Sequence, residues 1–122
     1  MILKRIPYDF SVCQVPGFTP EMLSLPFCFL ARTDEEDSLV CPTAAVPADV
    51  LAREDGWQAL RIEGVLDFSL VGILAPIASL LAERRIPIFA VSTYNTDYVL
   101  VKAARMAEAV EALRGAGYTV EA

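Results

Sequence analysis

Histidine is absent from the chain altogether, which removes the commonest general base and the side chain most often used to ligate metals. Cysteine occurs three times, at 13, 28 and 41, and spacings of 15 and 13 fit no metal or redox motif. An odd count argues against a disulfide framework and for a reducing compartment. Each cysteine lies in a strand-like run, where a thiol behaves as a small apolar core residue. Glycine-rich phosphate loops are missing: neither G-x-G-x-x-G nor G-x-x-x-x-G-K appears. The acidic run Asp34 to Asp37 lacks the spaced ligands of a calcium loop, so no metal and no cofactor is expected.

Basic charge is also sparse. Ten Lys and Arg against sixteen Asp and Glu give a net charge of −6, and the basic residues are scattered. A nucleic-acid binder needs a basic stripe to displace phosphate counterions, so that class is excluded. The longest apolar run, Val65 to Ala82, is broken by Asp67, Gly72 and Pro76. A membrane span rarely carries such a carboxylate, and this run reads as a loop followed by a buried helix. Met1 to Pro7 has no signal-peptide pattern. A soluble, cytoplasmic protein is expected.

The chain is rich in core-forming material: 55% of its 122 residues are apolar and 21% are charged. That length suits one ordinary domain or two very small ones. Alternation and β-branched content predict strands at Tyr8–Val15, Phe27–Arg32, Ser38–Cys41, Trp57–Glu63, Ile88–Ser92, Asp97–Val101 and Tyr118–Glu121. Thr19-Pro20 reads as an N-cap and first helical residue, opening a short helix to about Leu25. One helical turn is expected near Ala48–Arg53. Leu70, Ile73, Leu74, Ile77, Leu80 and Leu81 recur at helical spacing and predict the main helix, Leu70 to Arg84. Pro76 suits a first turn, so the regular helix should begin near Gly72. A last helix spans Arg105 to Arg114, with Met106, Ala109, Val110 and Leu113 inward and Gly115 as its C-cap.

The second half therefore reads as a βαββαβ, ferredoxin-like unit: an antiparallel sheet with its helices on one face. FCFLARTDEEDSLVC (27–41) aligns without gaps with PIFAVSTYNTDYVLV (87–101) at an offset of 60, pairing Phe29 with Phe89, Thr33 with Thr93 and Asp37 with Asp97. Each hairpin follows a strand and a helix. The expected architecture is α+β, two tandem units, with residues 1–56 a reduced copy and 57–122 a complete one.

LDFSLVGILAPIASLLAERRIPIFAVSTYNTDYVLV (66–101) resembles the ACT domain of small amino-acid-binding regulators. In particular it resembles the ACT pairs of the CASTOR arginine-sensor family and its small bacterial relatives. RTDEEDSLVCP (32–42) and EDGWQALRIEG (54–64) extend the likeness over nearly the whole chain. The resemblance implies an amino acid held at an interface between units. The loop into the first helix (Asp67, Ser69, Val71, Gly72) and the hairpin (Thr93, Asp97) would supply its contacts.

The same residues carry a physical rationale. An amino acid's carboxylate needs donors, and a helix N-terminus offers unpaired backbone N–H groups and a partial positive charge. Val71, Gly72 and Ile73 are expected there, and Gly72 allows close approach. The ammonium needs acceptors, from Asp67 or Asp97. Phe68, Tyr94 and Asn95 would line the wall that selects the side chain, and Leu70 completes the loop. Each has a plainer reading. Asp67 and Ser69 are also helix-capping types. Gly72 equally serves helix packing, and Asn95 and Asp97 suit an ordinary turn. Thr93 is a common strand residue, and the run TDEED reads as a solvated turn.

With no activated nucleophile evident, the expected function is a non-catalytic, ligand-binding regulatory module. The expected partners are an amino acid, a second copy of the chain in a homodimer and a regulated protein. A structural or oligomerisation module without a ligand is the alternative. A small ferredoxin-like isomerase or lyase, using Cys13 or Asp67, is the third reading.

Overall fold

The computed structural model describes residues 1–67 and 70–122. In chain order the elements are β1 (Ile2–Val15), α1 (Pro20–Leu23), β2 (Phe29–Arg32), β3 (Asp37–Pro42), a 3-10 turn (Thr43–Ala45), β4 (Ala52–Ile62), α2 (Leu74–Glu83), β5 (Phe89–Ser92), β6 (Asp97–Lys102), α3 (Ala103–Gly115) and β7 (Thr119–Glu121). The chain forms two compact units, residues 1–7 with 58–122, and residues 8–57.

In the larger unit the strand order is β7-β1-β4-β6-β5. From β4 onward this is the expected βαββαβ succession, with one insertion. The first residues of β1 lie between β7 and β4. Ile2, Leu3 and Lys4 pair in parallel with Thr119, Val120 and Glu121, while the Glu63 N–H donates to the Ile2 carbonyl at 2.9 Å. The strand expected at Tyr8 thus starts at Ile2. Its early residues show no local strand signal, and their partners come from the far end of the chain.

Alternation sets the core of this unit. Leu60 and Ile62 of β4, Val99 and Val101 of β6, Leu3 and Val120 all meet Ile77 and Leu81 of α2 and Met106, Ala109 and Leu113 of α3. Both helices therefore cover the same sheet face. A fully buried side chain of this size contributes about 1.5–3 kcal/mol by leaving water. At the end of α2, Arg105 donates from its guanidinium to the Arg84 and Arg85 carbonyls at 3.1 and 3.2 Å, satisfying acceptors the helix leaves open.

The start of α2 and the cap of α3 differ from expectation. α2 begins at Leu74, not near Gly72: Gly72 has φ +69°, outside the right-handed helical region, and ends the loop instead. Leu70, counted on the apolar face from its spacing, is 51% exposed. Gly115 is the last residue of α3, and the reversal falls two residues later. Gly117, at φ +99°, takes the left-handed turn, and the Tyr118 N–H returns to the Leu113 carbonyl at 3.1 Å.

In the smaller unit the strand order is β2-β3-β1. Thr19 and Pro20 open α1 as expected, although no side-chain cap bond forms. The helical turn expected at Ala48–Arg53 does not form. The Leu51 N–H donates across to the Gln14 carbonyl at 2.8 Å, and β4 begins at Ala52, so the backbone there belongs to the sheet ladder. The core comprises Cys13, Val15, Met22, Leu39 and Cys41, with the half-buried Cys28 against it. All three thiols are free. Buried Ser11 donates to the Asp55 carboxylate at 2.6 Å and shares a hydrogen bond with Thr43 at 2.9 Å, so this interior hydroxyl is satisfied.

The internal repeat appears in the pairing itself. Phe29, Leu30, Ala31 and Arg32 face Val40, Leu39, Ser38 and Asp37. Sixty residues on, Phe89, Ala90, Val91 and Ser92 face Leu100, Val99, Tyr98 and Asp97. The residue ending each returning strand has the same backbone: Pro42 at φ −54°, ψ 137° and Lys102 at φ −62°, ψ 140°. From that residue the chain enters a three-residue turn in the first copy and a thirteen-residue helix in the second.

Candidate functional site

The polar centre of the second hairpin resolves into a closed four-residue turn. The Thr93 N–H donates to the Thr96 carbonyl at 2.8 Å, and the Thr93 hydroxyl donates to the same oxygen at 3.1 Å. Ser92 and Asp97 form the last cross-strand pair below it. Thr96 points inward and is 6% exposed. Its hydroxyl donates to the Ile62 carbonyl at 2.6 Å, fixing the turn to the end of β4.

The loop after β4 is held against this turn. Gly64 takes φ +98°, and the Leu66 N–H donates to the Asn95 carbonyl at 2.7 Å. The Leu70 N–H donates to the Asp67 carbonyl at 3.0 Å. Gly72 then redirects the chain into α2. Ile73, not Asp67, stands at the N-cap of α2. Ser69, the other capping candidate, lies outside the described residues.

Loop and turn enclose a cavity of about 160 Å³. That is well below the roughly 300–1,000 Å³ of drug-sized sites. Of the ten candidates read from sequence, Asp67, Leu70, Thr93, Tyr94, Asn95 and Asp97 line it. Phe68 lies, like Ser69, outside the described residues. Val71 and Gly72 belong to the same loop but are not among its lining residues, and the Val71 side chain is 88% exposed. Leu66, Ile73 and Thr96 complete the lining and were not among the candidates. Leu66 and Ile73 look like ordinary core residues in the sequence. The recurrence of threonine in T-Y-N-T was the one available signal for Thr96.

The charged groups lining the cavity among the described residues are two carboxylates, Asp67 and Asp97. Asp97 makes no ion pair among those residues, whereas its counterpart Asp37 is held by Arg32 at 2.8 Å. Ile73, the N-cap of α2, lines the cavity, while Leu74 and Ala75, the first residues of the helix, are not among its lining residues. Pro76 has no backbone N–H to offer, which leaves a short donor surface at Ile73 to Ala75.

Comparison with known proteins agrees with this architecture. Over 98% of its length the chain is similar to the crystal structure of protein Atu0741 from Agrobacterium tumefaciens, at 27% identity and a TM-score of 0.87, covering 90% of that chain. It also shares its fold with VC0802 from Vibrio cholerae, described as a possible transport protein, at 24% identity and a TM-score of 0.73, with 93% and 87% of the two chains covered. The regulatory subunit of aspartate kinase from Thermus thermophilus shares the fold at 12% identity and a TM-score of 0.61, with 90% and 93% covered. No curated protein matches the chain. No helix among the described residues is long and apolar enough to cross a membrane. The ACT domain family matches residues 52–115, more than half of the sequence and the whole of the cavity's lining, and the chain belongs to that family.

Proposed function

We propose that the chain is a non-catalytic regulatory module that binds a free amino acid in the cavity between the β4–α2 loop and the β5–β6 turn. The carrying observation is that Asp97 and Ile73, the N-cap of α2, line one small space. Asp97 offers acceptors to an ammonium group, and the backbone N–H groups at the head of α2 offer donors to a carboxylate. Tyr94 and Asn95 form the wall that meets the ligand's side chain. Family membership supports a ligand-binding role, and the fold shared with an aspartate kinase regulatory subunit supports a regulatory one. The resemblance to the CASTOR sensors points the same way.

In this reading the ligand acts by population shift. Bound between loop and turn, it favours one arrangement of the chain, and a partner protein in the cytoplasm responds. Such coupling typically amounts to about 1–3 kcal/mol. A second copy of the chain would close the open side of the cavity in a homodimer.

A specific feature favours a second reading, an oligomerisation module without a ligand. Val65, Leu70, Val71 and Tyr94 are exposed apolar residues on the loop and turn, a surface suited to another protein. Thermal denaturation in the presence of each of the twenty amino acids separates the two. Binding should stabilise the protein by about 2.7 kcal/mol at a hundredfold excess over Kd, and Asp97→Ala should abolish the shift while the variant stays folded. If no amino acid raises the transition, the amino-acid reading fails. Turnover of the stabilising compound would instead reveal an isomerase or lyase.

A further inference from the structure

The two hairpins share strand limits, register and turn closure. The Thr33 N–H donates to the Glu36 carbonyl at 2.9 Å, as Thr93 does to Thr96 at 2.8 Å. They diverge in the residue paired across from the aspartate. In the first hairpin this is Arg32, whose Nε and Nη2 donate to the two carboxylate oxygens of Asp37 at 2.8 and 3.0 Å. In the second it is Ser92, uncharged and too short to form such a fork.

Arg32, whose side chain is 66% exposed, has a second contact besides Asp37. Its guanidinium also lies 5.2 Å from the centre of the Phe18 ring. Phe18 sits between β1 and α1, in the segment that corresponds to the β4–α2 loop of the larger unit. A cation is therefore held between the helix-entry segment and the hairpin aspartate. The corresponding elements of the larger unit, the β4–α2 loop and the β5–β6 turn, border the cavity lined by Leu66, Asp67 and Asp97.

We infer that the first hairpin is a self-filled copy of the site. Arg32 supplies from within the chain the cation that Asp97 takes from a ligand, so each chain holds one ligand, and the residue across from the aspartate decides which hairpin responds. The inference rests on the proposed amino-acid site and adds its stoichiometry, the placement of the ligand's cationic nitrogen on Asp97, and a specificity-determining position, Ser92. The hydrogen bonds from Arg32 also hold the Asp37 carboxyl below the usual aspartate range, as a filled site should.

The test is calorimetric titration of the intact chain with the twenty free amino acids and their N-acetyl derivatives, alongside Ser92→Arg. The parent should bind one molecule per chain and lose binding of the acetylated form, which has no ammonium. Ser92→Arg should weaken binding roughly ten- to a hundredfold, the worth of a charge-assisted contact. Carboxyl NMR supplies a readout independent of ligand: Ser92→Arg should lower the titration midpoint of Asp97, and Arg32→Ser should raise that of Asp37. A parent that binds no amino acid sinks the proposed function itself. A parent that binds two per chain, an acetylated ligand that binds equally well, or a Ser92→Arg variant with unchanged affinity or an unmoved Asp97 midpoint overturns the inference alone.

Discussion

The Leu66 N–H donates to the carbonyl of Asn95 at 2.7 Å, and this single backbone bond fastens the β4–α2 loop to the β5–β6 turn. Around it gather the buried hydroxyl of Thr96 and the cavity-lining Asp67 and Asp97. Loop and turn are far apart in sequence, and neither encloses a volume alone.

Thr96 should be the most sensitive polar residue of this seam. Thr96→Val keeps the side-chain volume but removes the donor to the Ile62 carbonyl, leaving a buried acceptor with one bond fewer. Urea denaturation should show a loss of about 1–3 kcal/mol. Thr96→Ser, which retains the hydroxyl, should recover most of it. Equal stability of the valine variant and the parent would mean that this bond contributes nothing net.

Gly72 tests the backbone alone. Its φ is +69°, and nothing lies within 4 Å of where a Cβ would stand. Gly72→Ala should therefore cost roughly 1–2 kcal/mol through left-handed strain without any clash. Gly72→Asn should cost less, because asparagine tolerates this region. An alanine variant as stable as the parent would show that the loop relaxes freely.

The thiols of the smaller unit should be inert when folded. Burial, reinforced by neighbouring Cys13 and Cys28 and opposed by Arg53, pushes the Cys41 thiol up to about 11 from an ordinary value of 9.0. A raised folded value favours the protonated, folded form. Its stabilisation is therefore complete below pH 9 and lost as pH rises through about 11. Cys41→Val should lose less stability over that interval than the parent in urea titrations. Iodoacetamide at pH 8 should label Cys41 only in denaturant, and labelling at the same rate without denaturant would contradict the burial argument.

Where the signal was local, the sequence was legible. Both hairpins could be placed, with their common offset, because strand alternation has a period of two and a turn ties neighbouring residues together. The start of α2 is not legible, because helical spacing counts Leu70 as apolar without revealing that it precedes the helix. The start of β1 was missed because its partner, β7, comes from the other end of the chain. Gly115 reads as the cap in sequence, and only the backbone geometry shows that Gly117 takes the left-handed turn. Within the candidate site, the polar turn and the aspartates stood out by residue type. The bond that joins them did not, since a backbone N–H carries no residue identity.

The amino-acid sequence by itself determined the alternating strands, the apolar faces of α2 and α3, the repeat of one hairpin in another and the lack of histidine chemistry, because these arise from side-chain type and short-range spacing. Tertiary structure alone decided that β1 separates β7 from β4, that the β4–α2 loop closes over the second turn, and that Arg32 occupies its aspartate while Ser92 leaves Asp97 without an ion pair among the described residues. Those outcomes depend on which distant backbone groups and charges are brought within hydrogen-bonding reach, a property of the folded chain and not of any local segment.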